Sequence, residues 1–374
     1  DATGIMVSES PTFTDRSSSD WIEYQTNLTF TLSAEIGEKT IYVKYRDTFG
    51  NESVVVHETV NLTAAPNLVI TQNSTLEQGA LLPSDDVVID GVTVTLAGTH
   101  KVQRLRLING AVLTSLDTTA TQENYLDLTV TGELEIDAKS RIDVSERGYL
   151  GAWRADSTAW GRAYGNVRGS YSVGGGSYGG QGSQGDNYDV SGYVNGAYGD
   201  YRDPAEVGSG GGGVNSGWPG GDGGGLVRLH AGSLRLDGAI LSNGGGIDSS
   251  SGRNQYHGAG SGGGISVRVG TLSGSGEMRV AGGSSYTGNS HDGAGGGGRI
   301  AIYYDDASGF DFAKVTAYGG TGYGGATGSY IGGAGTVYLK SSADATGEVV
   351  VRGLPGVTYP RSTVLPTYRS GTVV

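Results

Sequence analysis

The amino-acid sequence predicts an all-β protein, and three observations support this fold class. Glycine supplies 70 of the 374 residues, far above its usual share of about 7%. No stretch shows the sustained spacing of apolar residues that marks an amphipathic helix. Short runs in which apolar and polar residues alternate recur along the chain, and turn-forming residues separate them. Such a chain is expected to consist of strands and turns.

Composition and charge exclude several kinds of partner and site. The formal net charge is −13, which argues against a nucleic-acid ligand because phosphates are bound by basic surfaces. Cysteine is absent, so thiolate metal sites and cysteine nucleophiles are ruled out. No apolar run reaches the roughly 18 residues of a membrane helix, and membrane insertion is not expected. Tyrosine dominates the aromatic residues, as is typical of exposed extracellular surfaces.

Residues 1–64 contain short strand patterns separated by turns. Segments 28–32 and 40–45 alternate between apolar and polar residues, and a glycine-containing turn at 36–38 precedes the second of them. Short strands at this spacing indicate a β-sandwich.

One stretch of this region carries a resemblance. Residues 39–53, KTIYVKYRDTFGNES, resemble the segment KTVYVKFRDxxGN.S that marks the immunoglobulin-like repeats of large bacterial and archaeal surface proteins. The resemblance implies an immunoglobulin-like β-sandwich over residues 1–64. Such repeats begin with two further strands ahead of the sequence DATG, which here stands at 1–4, and this chain lacks them. A sandwich without those strands would leave an open edge that is prone to association.

The C-terminal segment 341–374 is expected to be an extension that contains a donor strand. Its last eight residues, TYRSGTVV at 367–374, resemble the opening strands TYTNSTSVTL of the same repeat class. The tail of one copy is therefore predicted to complete the sandwich of the next, and head-to-tail contacts that do not close give a filament. The alternative is a fragment cut from a longer tandem protein. The residues predicted to join subunits are Thr367, Tyr368, Thr372, Val373 and Val374.

Residues 65–148 are predicted to begin a right-handed parallel β-helix. Short apolar strands follow one another there at even spacing, and segments 108–113 and 136–144 look like its coils. A single coil cannot bury its inward face alone, so coils must stack.

Residues 149–340 carry a glycine-rich repeat that continues this solenoid. A strand pattern follows each glycine triplet at 223, 262 and 296 and the Gly-Ala-Gly at 333, with offsets of 39, 35 and 37 residues between the strands. Glycine tracts are usually flexible linkers, but a linker would not recur at fixed spacing between strands. The glycine-rich excursions are therefore expected to be ordered, polyglycine-II-like or polyproline-II-like strands that bond to one another through their backbones. Mobile loops are the alternative.

The glycine-rich region also carries a resemblance. The sequences AYGDYRDPAEVGSGGGG, GGGGRIAIYYDD and GGAGTVYLKS resemble the glycine-rich modules of very large bacterial surface proteins. Those modules are structural or adhesive sequences, and the resemblance implies the same role for this chain.

Candidate catalytic groups are explained by turn structure. The carboxylate pairs Asp85–Asp86 and Asp305–Asp306 each stand beside a strand at a turn, where aspartate is favoured for its own hydrogen bonds. The five histidines lack metal-type spacing. No catalytic residue is therefore predicted, although parallel β-helices often carry polysaccharide lyases and hydrolases.

Glycine-rich loops hold the candidate metal ligands. Carboxylate and amide oxygens at short spacing are ligands that calcium prefers, and the simpler alternative is solvated loop carboxylates. Calcium is the one cofactor considered. The candidate ligands are Asp186, Asn187, Asp189, Asp200 and Asp203.

The same loops contain the densest group of aromatic residues. Exposed tyrosines are suited to bind glycans or a neighbouring subunit. The alternative is that they stack over glycine backbone within the fold. The candidate surface aromatics are Tyr171, Tyr178, Tyr188, Tyr193, Tyr198, Tyr201 and Trp218. Four asparagines also lie in N-x-S/T sequons, a motif that often arises by chance: Asn27, Asn51, Asn61 and Asn73.

These features together predict a non-enzymatic extracellular protein with a structural or adhesive role. The leading hypothesis is a cell-surface filament subunit joined head to tail by strand complementation. Its expected partners are other copies of the chain and surface glycans. One alternative is a β-helix that binds or cleaves polysaccharides, and another is a stalk fragment of a giant adhesin.

Overall fold

The computed structural model describes residues 2–62, 65–187, 190–214, 219–246, 257–285, 292–322, 330–356, 361–363 and 365. These residues form strands, turns and three short 3-10 helices, and they contain no α-helix. The all-β fold class predicted from the sequence is therefore confirmed. The 3-10 helices are Ser18–Asp20, Tyr164–Asn166 and Phe312–Lys314.

The chain divides into two compact units, Asp1–Pro66 and Asn67–Val374. The first unit has one four-stranded antiparallel sheet with the strand order β2-β1-β3-β4. Its longest strand, β3, is rich in β-branched and aromatic residues, which favour extended backbone. The strands are β1 Gly4–Ser8, β2 Ile22–Glu23, β3 Gly37–Arg46 and β4 Val56–Leu62.

Two expectations for the first unit differ from the structure. Segment 28–32, predicted as a strand, joins no sheet, because alternation alone does not hold a strand that lacks a pairing partner. A sandwich needs two packed sheets, and residues 2–62 form one.

The larger sheet of the second unit has ten strands. Its order is β25-β24-β22-β20-β18-β12-β10-β7-β5, and β9 pairs with β12. Every pair is parallel except the last, β24 with β25. The strands are β5 Leu68–Ile70, β7 Asp86–Asp90, β9 Thr99–Val102, β10 Arg104–Ile108, β12 Leu126–Ile136, β18 Leu226–Leu236, β20 Gly264–Gly274, β22 Arg299–Phe310, β24 Thr336–Ser341 and β25 Glu348–Val350.

The smaller sheet has seven strands, all parallel, in the order β23-β21-β19-β13-β11-β8-β6. Strands of the two sheets alternate along the sequence, except that β9 and β10, and β24 and β25, follow one another in the larger sheet. The strands are β6 Ser74–Leu76, β8 Thr93–Leu96, β11 Val112–Ser115, β13 Arg141–Asp143, β19 Ala239–Leu241, β21 Glu277–Arg279 and β23 Val315–Thr316. Two short hairpins complete the unit: β14 Trp160–Ala163 with β15 Val167–Tyr171, and β16 Asp186–Asn187 with β17 Val190–Ser191.

The strand register corrects one predicted offset. Val227 pairs with Ile265, which pairs with Ile300, which pairs with Val337, and all four side chains lie in the main apolar core. The sequence instead aligned Leu226 with Ile265, one residue out of register. A shift of one residue moves a side chain to the opposite face of a strand, and Leu226 indeed packs in a separate cluster with Tyr149 and Val207.

The glycine-rich segments between the strands are buried and bonded to one another through their backbones. In segment 258–263, successive N–H groups donate in turn to the carbonyls of three other segments, and the sequence of directions repeats every third residue. The acceptors are Gly212, Gly293, Gly245, Ser209, Gly296 and Ser242. Carbonyls of the same segment accept from three more segments, through the N–H groups of Gly221, Gly176, Gly283 and Gly224. Segment 258–263 therefore has six bonded neighbours.

Equivalent glycines of successive repeats stack in columns. A Cβ atom built on Gly332 would lie 2.0 Å from the carbonyl oxygen of Gly295, and one built on Gly295 would lie 1.9 Å from that of Gly260. A Cβ atom on Gly260 would in turn lie 1.9 Å from the carbonyl oxygen of Asp222. The backbones therefore approach one another more closely than any side chain allows.

Candidate functional site

The first unit ends in an edge strand with exposed apolar residues. Among residues 2–62, β4 pairs with β3 alone, so its outer N–H and C=O groups have no strand partner there. All of β4 except Leu62 is exposed, including Val56 at 48% and Val60 at 41%. Unpaired edges of this kind can accept another strand.

One face of this sheet is apolar at the β4 side. Val7 of β1 is paired with Val43 of β3, which is paired with Val56 of β4. Directly paired residues share a face of an antiparallel sheet, so the three valines form a row across the strands. Val7 and Val43 are half-buried, whereas Val56 is exposed. We call this row, together with the outer edge of β4, the open edge.

The opposite face of the sheet is covered. Lys44 lies over the rings of Phe13 and Trp21, at 4.7 and 5.4 Å from the ring centroids. Met6, which pairs with Lys44, is buried. The unit thus packs one face with the segment that follows β1, and it leaves the valine face without a comparable layer at β4.

The residues predicted to join subunits lie outside the described residues: Thr367, Tyr368, Thr372, Val373 and Val374. The chain just before them is attached to the second unit. Gln181 N–H donates to the carbonyl of Ser362 at 3.1 Å, and the Thr363 hydroxyl donates to the carbonyl of Ala334 at 2.7 Å. The predicted donor strand therefore follows a fixed point on the glycine-rich region.

The predicted surface aromatics divide into three groups. Tyr193 is exposed, and Tyr171 and Tyr198 are half-buried. Tyr178 and Tyr201 are buried, so their prediction as surface residues is wrong. Both rings contact other aromatic rings. Tyr178 is tilted against Tyr198 with ring centroids 4.8 Å apart, and Tyr201 meets Tyr338 edge to face at 5.7 Å. The remaining two, Tyr188 and Trp218, lie outside the described residues.

A buried polar cluster surrounds Arg299, which the sequence did not single out. Its Nε–H donates to the carbonyl of Tyr198 at 2.9 Å, and a guanidinium N–H donates to the hydroxyl of Thr336 at 3.2 Å. Tyr178 donates its hydroxyl to Glu206 at 3.1 Å, and burial raises the pKa of Tyr178 well above its usual range.

The sequence contained one signal for this cluster. In the register row of Arg299, the paired residues of the neighbouring repeats are Gly264 and Thr336. A charged residue in a row of small or uncharged residues marks a special environment, but the row is visible only when the register is known.

The candidate calcium ligands are only partly described. The Asp200 carboxylate accepts the backbone N–H of Arg202 at 2.8 Å, and Asp203 pairs with Arg268 at 3.6 Å. The side chains of Asp186, Asn187 and Asp189 are outside the described set. Across the described part of the chain no group of three or more His, Cys, Asp or Glu residues is arranged to hold a metal ion. Calcium binding stays a prediction.

The two carboxylate pairs take part in local structure. Asp85 accepts hydrogen bonds from the side chain of Asn67 and the backbone of Leu82, at 3.0 and 2.8 Å. Asp86 pairs with Arg104 at 3.0 Å. Asp306 accepts the backbone N–H of Ser308 at 2.9 Å. Both residues lie within β22, at a shift in its register with β20, so the predicted turn position of the Asp305–Asp306 pair is wrong.

Two buried ionisable residues have shifted pKa values, and the two shifts change the stability of the fold in opposite directions as the pH falls. Asp222 pairs with Arg154 at 3.1 Å and accepts the N–H of Gly151 at 2.7 Å, yet burial raises its pKa to about 6. Burial also lowers the pKa of His257 to about 4. Protonation of Asp222 below pH 6 stabilises the fold, because the unfolded carboxyl binds its proton only near pH 4. For His257, the ring takes up a proton at a higher pH in the unfolded chain than in the fold. Stability is therefore lost as the pH falls from 6.5 to 4.

We expect these two contributions to cancel in the native protein between pH 4 and 6. Relative to the unsubstituted protein, the Asp222→Asn variant should therefore lose roughly 3 kcal/mol of its free energy of unfolding as the pH falls through this range. The His257→Gln variant should gain stability over the same range by a similar amount. The measurement is urea denaturation followed by circular dichroism at several pH values. Parallel pH profiles for both variants would contradict the assignment.

Comparison with known proteins yields no relative for this chain. No family model, no curated protein and no solved structure matches it. None of the helices in the described ranges is long and apolar enough to cross a membrane.

Proposed function

We propose that this chain is a non-enzymatic extracellular structural protein, a subunit of a surface filament in which copies are joined head to tail by strand complementation. The observation that carries the proposal is the open edge. It combines backbone groups on β4 that have no strand partner within residues 2–62 with a valine row that ends at the exposed Val56. Both are what an added strand requires, since backbone hydrogen bonds supply affinity and side-chain pockets supply specificity.

The occupant of the open edge is the tail of another copy. Segment 367–374 contains β-branched and aromatic residues, which favour strands, and it follows the attachment point at Ser362 and Thr363. A donor held on the second unit and an acceptor on the first are different surfaces of one chain. Repetition of such a contact gives an open, heterologous assembly.

The second unit would serve as the stiff part of each subunit. We propose that it is a right-handed parallel β-helix whose glycine-rich segments pack as polyglycine-II-like strands. The alternation between two parallel sheets supports the first part. The three-residue repeat of hydrogen-bond directions supports the second, because an extended helix of this kind has three residues per turn. Each repeat is then bonded to its neighbours along the unit, which resists bending without disulfides.

Deletion of residues 367–374 is expected to abolish polymerisation, because it removes the donor strand and leaves the rest of the chain in place. The Val56→Asp variant should also fail, since a carboxylate would replace the exposed end of the valine row. The matched control is Thr59→Asp, which places the same charge on the opposite face of the same exposed strand. Electron microscopy of the full-length protein, with sedimentation to measure its mass, distinguishes filaments from monomers.

Mixing the two defective chains provides a stricter test. The deletion variant retains its open edge, and the Val56→Asp variant retains its tail. An equimolar mixture should form complexes of two chains and nothing longer. Strand donation would be refuted if the deletion variant formed filaments. It would also be refuted if the control Thr59→Asp lost filaments while Val56→Asp kept them.

A further inference from the structure

The sequons of this chain are unevenly distributed. The chain has 14 asparagines, five of them among the first 75 residues. Four of those five are followed by a serine or threonine two positions later, whereas none of the nine asparagines after residue 75 is. Serine and threonine are frequent throughout the chain, so composition does not explain the difference. The four are Asn27, Asn51, Asn61 and Asn73.

All four sequon asparagines are exposed. Asn27 lies outside any strand, in the long connection between β2 and β3. Asn61 lies on the edge strand β4, and Asn73 lies just before β6. The carbonyl oxygen of the Asn73 side chain accepts the backbone N–H of Thr93 at 2.8 Å, and this bond leaves the Nδ2 group as the unengaged end of the amide. The motif excludes proline between the asparagine and the hydroxyl residue, and none of the four sequons has proline there.

We propose that Asn27, Asn61 and Asn73 are N-glycosylation sites. In the reaction, Nδ2 of the asparagine forms a bond to the anomeric carbon of a phosphate-activated glycosyl donor. The donor's phosphate group leaves with the electron pair of the broken C–O bond, and Nδ2 gives up one proton. The resulting glycans are bulky and solubilising, as expected of an exposed surface.

Asn51 differs from the other three. Its Nδ2 donates to one carboxylate oxygen of Asp47 at 2.8 Å, and its backbone N–H donates to the other at 2.9 Å. The same bonds lower the pKa of Asp47 below its usual value, so the carboxylate is held in its charged, accepting form. Modification of Asn51 would break this turn, and Asn51 therefore serves as an internal comparison with low occupancy.

The position of Asn61 fits the proposed function. Asn61 pairs with Glu38, and residues of β4 alternate between faces, so its side chain points away from the face that carries Val56 and Val60. A glycan on Asn61 would cover the side of the edge strand that an incoming strand does not need. This last step rests on the proposed function, whereas the modification itself requires only that the protein is exported.

Mass spectrometry of peptides from the protein purified from its own source tests the proposal. Sugar is expected on asparagine in the peptides of Asn27, Asn61 and Asn73, with at least several-fold lower occupancy at Asn51. The Thr29→Ala and Thr75→Ala variants should lose the sugar at Asn27 and Asn73, and Thr29→Ser should keep it. Unmodified peptides at all three sites, sugar confined to Asn51, or sugar on hydroxyl groups instead would overturn the proposal. Filaments are scored separately by microscopy, so the two proposals can fail independently.

Discussion

The Gly295→Ala variant is expected to lose about 3 kcal/mol of its free energy of unfolding. The added methyl carbon would lie 1.9 Å from the carbonyl oxygen of Gly260 and 2.6 Å from its carbon. These are backbone atoms that are themselves bonded to neighbouring segments, so no flexible side chain can move aside. Relief requires the separation of two stacked repeats, which would strain several backbone hydrogen bonds at once. Chemical denaturation with circular dichroism measures the loss.

The matched control is Gly196→Ala, at an exposed glycine whose added carbon would meet nothing within 4 Å. Its free energy of unfolding should change by less than about 0.5 kcal/mol. Equal stability of the two variants would mean that the glycine columns are not closely packed in solution.

The Arg299→Ala variant is expected to lose about 2 to 5 kcal/mol of its free energy of unfolding, because two buried acceptors lose their donor. Arg299 is 1% exposed, and its removal would leave the carbonyl of Tyr198 and the hydroxyl of Thr336 without these hydrogen bonds. The half-buried Glu206 of the same cluster would also lose its attraction to the guanidinium charge. The loss should appear in thermal and chemical unfolding alike.

Arg235 provides the comparison for Arg299. It lies on the surface with its side chain 57% exposed, and it pairs with Asp237 at 3.0 Å and Glu135 at 3.4 Å. Exposed ion pairs contribute about 0 to 1 kcal/mol, so Arg235→Ala should change stability by no more than that. A large effect of Arg235→Ala together with a small effect of Arg299→Ala would reverse our assignment of these two arginines.

The repeating strands of the second unit could be predicted because two signals coincide. A glycine triplet or its variant precedes each strand, and the strand itself alternates, so a position such as Ile300 is identified by both. The predicted register was wrong by one residue at Leu226, because an apolar residue at that position looks like the first residue of the core row. Its actual partners, Tyr149 and Val207, come from distant segments that local patterning does not reveal.

Burial within the glycine-rich region was beyond sequence reasoning. Tyr178 and Tyr201 stand in glycine-rich stretches with few apolar neighbours in sequence, which usually indicates exposure. Their burial arises because several glycine segments pack around them in space. The sequence predicted an open edge without indicating which strand carries it, and the row of Val7, Val43 and Val56 became visible only from the pairing of β1, β3 and β4.

The glycine columns also determine how this molecule can change in length during evolution. Each column glycine contacts its counterpart in the next repeat. An insertion of a few residues between Gly260 and Gly295 therefore has to be accommodated in the connecting loop. Otherwise it would shift the column and place a residue with a side chain against a backbone carbonyl. Duplication or loss of one whole repeat keeps every counterpart in place. Homologous genes are therefore expected to differ in size by multiples of one repeat, and subunit length becomes a quantity inherited in discrete steps.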